Sequence, residues 1–236
     1  MEAHRASSTI TPHRVAGALL VVAALLTLTG VGLYFASGAV ADDPGDPLVA
    51  GRALADANAM LPASAYVSIA ANALFAIGAV MMAHAGRAAD GHDVPTRLAL
   101  PGLWATFVVA VLLIMPFDLA LPRGLIPLAK ADPGSPVFAA IYESINLTHS
   151  VGLFVFYAST TALFVHQSRT VGNARGRIGW RVGAFVSALA VVVAIGLIVE
   201  RPPVFLVPAV FLAWLGLLVL GVRMMLPGSN ASPSIS

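Results

Sequence analysis

The sequence predicts an all-α fold, an integral membrane bundle of six transmembrane helices with both termini on the cytoplasmic side. Three observations carry that prediction. Of the 236 residues, 58% are hydrophobic and 10% are charged, against roughly 25% charged in soluble domains, and a water-soluble core has no room for so much apolar side chain. Six stretches are long enough to cross a hydrocarbon core about 30 Å thick, which takes roughly 20 apolar residues of helix. Lys and Arg fall unequally on the two sides of those stretches, as their retention in the cytoplasm requires.

In chain order, a cytoplasmic tail at 1–14 leads into a first span at about 15–40, which carries no charge between Val15 and Val40. Ala39-Val40-Ala41 before Asp42 resembles a signal-peptidase site, but a cleaved signal has an apolar region of only about 7–15 residues. The first span is therefore expected to stay in the membrane. Residues 41–62 form an outer loop that opens Asp42-Asp43-Pro44-Gly45-Asp46; the acids lack the ligand spacing of a hand-type calcium loop and are expected to be solvated. The second and third spans, about 63–85 and 98–117, are joined on the inner side. Pro122, Pro127, Pro133 and Pro136 predict a turn-rich outer loop over 118–136. The fourth, fifth and sixth spans cover about 137–166, 182–199 and 204–226, and the polar tail 227–236 is expected to be disordered. Residues 15–226 thus make one six-helix domain. Gly179 with Gly183, and Ala184 with Ala188, predict a face of close packing on the fifth span.

Orientation follows the cations. Arg5, Arg14, Arg87, Arg97, Arg169, Arg175, Arg177, Arg181 and Arg223 fall on one side, nine of the thirteen basic residues. Arg52, Arg123, Lys130 and Arg201 fall on the other, with Asp42, Asp43, Asp46, Asp56, Asp118, Asp132 and Glu200. The first side is expected to be cytoplasmic, which makes this a multi-pass protein of the plasma membrane. The chain has no cysteine, so disulfides, thiolate metal sites and thiol nucleophiles are excluded. No basic-aromatic patch of the kind that binds nucleic acid is present, and no nucleic-acid partner is expected.

The fourth span begins with groups that are costly in lipid. Tyr142, Asn146 and His149, and Glu143, Asn146 and Ser150, follow three- and four-residue spacings that put all five on one helical face. Counting back about 20 residues from His166 sets the outer hydrocarbon boundary near residue 147, so the stripe belongs to the outer leaflet. Ionisable groups there turn towards a cavity or a partner. Asp118 at the end of the third span and the Glu200-Arg201-Pro202-Pro203 turn lie at the same level. The candidate ligand site is therefore an outer polar pocket of Asp118, Glu143, Asn146, His149, Glu200 and Arg201, unless these groups only cap helices and pair with one another.

Several chemistries fit such a pocket. His149 with Glu143 or Asp118 as assistants gives a membrane-embedded enzyme acting on a lipid, with His149 as general base or weak metal ligand. A small-molecule or proton-coupled transporter needs helices broken at mid-membrane, and Pro101 and Pro208 lie too near helix ends to mark such breaks. A haem-b protein would use His84 and His166, both at the inner boundary and shallower than haem ligands usually sit. His149 and Ser150 are adjacent and point about 100° apart, so they are no nucleophile pair. The glycosylation patterns at Asn146 and Asn230 fall too near the bilayer or on the inner side. Phosphate loops and dinucleotide fingerprints are absent.

Three short segments resemble the prokaryotic six-helix membrane family catalogued as domain of unknown function 998. They are Met115-Pro116-Phe117-Asp118, Leu147-Thr148-His149, and Gly196-Leu197-Ile198-Val199-Glu200-Arg201 followed by Trp214-Leu215 and Arg223. Residues 41–62 lack that family's Ser-acid-Leu-Gly element, so a function housed in that loop does not carry over. The resemblance implies a six-helix bundle with a polar outer face, motif positions at Asp118, His149, Glu200 and Arg201, and no particular reaction. The expectation is a non-enzymatic membrane protein without cofactor. It would bind a lipid headgroup or small ligand at its outer face, or stabilise or regulate a membrane partner, with a membrane-protein partner or a homo-oligomer as the expected assemblies.

Overall fold

A computed structural model describes residues 12–41, 43–87, 94–199 and 203–226. Its helices run in the order α1 (Pro12–Ala36), α2 (Pro47–Asp56), α3 (Met60–Arg87), α4 (Val94–Ala120), α5 (Ile126–Ala131), α6 (Pro136–Thr170), α7 (Ala174–Ile198) and α8 (Val207–Met225). A π-helical turn at Leu121–Leu125 joins α4 to α5, and a 3-10 turn at Val204–Leu206 precedes α8. There is no strand among the described residues. Six stretches are long and apolar enough to cross a membrane: Pro12–Ala36, Met60–His84, Leu100–Ala131, Pro136–Thr170, Ala174–Ile198 and Val207–Met225. The chain is an all-α bundle of six spans. Tail residues 1–11 and 227–236, and the turn residues Glu200 and Arg201, lie outside the described residues.

The spans form a closed ring. Each packs on the next, α1 on α3, α3 on α4, α4 on α6, α6 on α7 and α7 on α8, and α8 returns to α1. Lipid tails are as apolar as Leu, so such contacts rest on close van der Waals fit and small residues at the crossings. Gly17 and Gly221 close the ring: a methyl group built on Gly221 would lie 2.8 Å from the Gly17 carbonyl oxygen, and one on Gly17 would lie 2.7 Å from that of Gly221. Gly152 does the same between α6 and α4, where an added Cβ would meet the Ile114 side chain at 2.8 Å and its backbone nitrogen at 3.0 Å. Of the predicted small-residue face, Gly183 and Ala184 pack inward, Gly183 against Phe164, while Gly179 faces open space.

Aromatic side chains fill the middle of the ring. Phe75 of α3, Phe107 of α4, Phe156 of α6 and Trp214 of α8 meet one another with ring centroids 4.8 to 5.9 Å apart, in the edge-on and offset arrangements that aromatic quadrupoles favour. Tyr157 packs edge-on against Phe156 beside them, ring centroids 5.4 Å apart. The cluster plugs the axis.

The end of the bundle that carries α2 and α5, the outer end on the charge-based expectation, is more ordered than the proline content suggests. Helix continues from Val94 through Pro101 and Pro116 to Ala120, and with the π turn and α5 the third span runs on to Ala131. Pro136 occupies a first-turn position, where a missing N–H leaves nothing unpaired, whereas Pro122 and Pro127 lie inside the continuous run from α4 to Ala131, Pro122 within the π turn. In the other outer loop Asp46 caps α2, its carboxylate accepting from the Leu48 and Val49 amides, with Pro47 in the first turn. Both outer loops are thus largely helical, and α2 packs on α5 over a second apolar cluster that includes Leu54, Leu61, Leu125 and Phe138. The Tyr142 hydroxyl donates to the Pro44 carbonyl at 3.0 Å and ties this cap to α6. Tyr142→Phe is expected to cost about 1 kcal/mol and to raise hydrogen exchange in α2 ahead of the spans; uniform exchange changes across the bundle would contradict this.

Candidate functional site

Two contacts converge on the outer part of α4. The Asn72 side chain on α3 donates through Nδ2 to Asp118 Oδ2 at 3.0 Å, and both residues are only 8% exposed. On α6, His149 Nδ1 lies 3.4 Å from the Ile114 carbonyl oxygen, and its ring sits 4.8 Å from that of Phe117. A carbonyl only accepts, so this contact puts the imidazole proton on Nδ1 and leaves Nε2 as an acceptor. At 3.4 Å the bond is long and weak. Asp118 and His149 therefore attach to neighbouring turns of one helix, on either side of Phe117. The close approach that Gly152 allows between α6 and α4 brings His149 there.

The level of this pair is the main departure from sequence-based expectation. Asp118 was expected to close the third span at the outer boundary, yet α4 continues past it and its partner Asn72 is the middle residue of the Met60–His84 span. Counted at 1.5 Å per residue, Asn72 lies about 18 Å from either end of that span. A charge at such depth costs about 2.5–3.5 kcal/mol on insertion scales. Phe75, one turn further along α3, belongs to the aromatic plug, so the carboxylate stands just outside the plug and not across it.

The polar stripe does not stay together. Glu143 is exposed and Asn146 half-buried, while Tyr142 turns into the cap and Ser150 is buried. The reason is a change of neighbour along α6: its first turns pack on the outer cap and its later ones on α4. Glu200 and Arg201, the remaining predicted members, lie outside the described residues. Asn72 is the residue to add to the site; the sequence places it with Tyr66 near the outer half of the second span as an available partner, and a carboxamide in an apolar span was the signal for it.

Among the described residues no three His, Asp or Glu side chains stand close enough to hold a metal ion. Of the two histidines weighed as haem ligands, His84 is exposed and His166 half-buried, on helices that each flank α4. One buried donor has no acceptor among the described residues, the Trp104 indole nitrogen. Trp104 packs on Phe107 at the edge of the plug.

Fold and site together define a multi-pass helical membrane protein with a buried carboxylate–carboxamide pair in the middle of its bundle. No protein-family model, no curated protein and no solved structure matches the chain.

Proposed function

We propose that this is a non-enzymatic protein of the plasma membrane, with both termini cytoplasmic, that binds a small polar ligand from the outer side at Asp118 and His149. The observation that carries the proposal is a carboxylate buried at mid-span with one neutral partner and an aromatic plug on its inner side. Buried acids in spans are usually paired with a cation or open to water, and among the described residues Asp118 has only the Asn72 amide. A ligand with hydrogen-bond donors or positive charge supplies what that amide does not. The depth of the pair disfavours a lipid headgroup there, and the plug disfavours transport, since a solute at Asp118 would meet Phe75, Phe107 and Phe156.

Asp118→Asn tests it. The substitution keeps shape and one hydrogen bond while removing the charge, and replacing an ill-compensated buried charge is commonly neutral or stabilising. In native membrane discs, mass spectrometry is expected to show a small-molecule species on the wild type that the variant has lost, with melting temperature unchanged or higher. A variant that melts lower and keeps the same bound species would make Asp118 a packing residue and sink the proposal.

A further inference from the structure

At the opposite end of the bundle, where α7 begins and α8 ends, a furrow of about 480 Å³ opens between these two helices, a size within the roughly 300–1,000 Å³ of small-molecule sites. Gly176, Gly179 and Gly183 line it from α7 and Gly216 from α8, between the side chains of Val171, Asn173, Trp180, Val219 and Arg223. The fully buried Phe164 ring packs behind Gly183 and Gly216. At the shallow end stands Arg223, half-buried, with its guanidinium carbon 5.8 Å from the Trp180 ring centroid. From Asn173 to Gly183 the furrow extends about 15 Å along α7.

Charge decides the occupant. Neither α7 nor α8 contains an Asp or Glu, and the acid of α6, Glu143, is at that helix's other end. Arg169, Arg175, Arg177 and Arg181 are exposed around the same end. Trp180 has the amphipathic ring that settles at headgroup level, and an arginine stacked on it keeps its donor fork free for a phosphate. An apolar slot that leads from a cation at the interface into the membrane matches one molecule with two ends.

We infer that this furrow binds one anionic phospholipid, its phosphate on Arg223 and an acyl chain laid along Gly179, Gly183 and Val219. The site is separate from Asp118 and stands whether or not the outer ligand exists.

Native mass spectrometry of the purified chain, exchanged against an equimolar mixture of phosphatidylglycerol and phosphatidylcholine, tests the inference. One tightly held phosphatidylglycerol is expected on the wild type, at least tenfold enriched over phosphatidylcholine. Arg223→Gln should lose that enrichment. Gly179→Leu should lose the adduct altogether, and because a Cβ there meets no atom within 4 Å this variant is expected to fold normally. Arg52→Gln, exposed on α2 at the other end of the bundle, should change nothing. Retention of the adduct in Gly179→Leu would show that no chain lies in the furrow. Equal binding of both lipids, or a protein dimer formed in place of the adduct, would likewise overturn the assignment.

Discussion

Phe156→Ala is expected to lower the stability of the bundle by about 3 kcal/mol, the lower end of the range for Phe→Ala in soluble cores. The transfer part of that range fades when separated helices remain in lipid, whereas the cavity part stays. Phe156 meets Phe75, Phe107, Tyr157 and Trp214 at 4.8 to 5.4 Å. Helices α3, α4 and α8 all lean on its ring, so none can collapse into the void without pulling away from another neighbour. Reversible unfolding in mixed micelles measures the effect. A loss below about 1 kcal/mol would show that the plug is loosely packed and would reopen the axial route that transport needs.

Gly221→Leu should act on the ring as a whole. Any side chain at Gly221 starts from a Cβ 2.8 Å from the Gly17 carbonyl oxygen and 3.1 Å from the Val21 backbone nitrogen, and backbone cannot rotate out of the way as a side chain does. Overpacking typically costs about 1–3 kcal/mol, here through separation of α8 from α1. The chain has no cysteine, so spin labels can be placed singly at Val22 and Val222, both on exposed positions of the two helices. The distance between the labels is expected to lengthen in Gly221→Leu and to stay fixed in Gly179→Leu. Equal distances in all three proteins would remove the glycine crossing as the element that closes the ring.

Much of the architecture was legible because length and hydropathy alone select a span. The outer cap was less so. Pro122 and Pro127 read as turn formers, yet both sit within the helical run that carries α4 through the π turn into α5. The Asp46-Pro47 pair that starts α2 was visible as a cap followed by a first-turn proline, but it was masked by the acidic residues around it. For the site, helical spacing put Glu143 and Ser150 on one face, and they share it; what spacing could not show is that the partner along α6 changes from the cap to α4, leaving the first exposed and the second buried. The Asp118–Asn72 pair depends on the vertical register of α3 against α4, which no periodicity within one helix encodes.

The closed ring also dictates an order of assembly. Five of its six contacts join spans that follow one another along the chain, so each can form as the next helix leaves the ribosome and enters the bilayer. The sixth, Gly17 against Gly221, joins the earliest described span to the latest. Until α8 is inserted, Trp214 is missing from the central cluster and the glycine face of α1 looks out on lipid. Insertion of the described spans in chain order would leave an open seam between α1 and α7 until α8 enters, a state that substitutions at Gly17 or Gly221 would prolong.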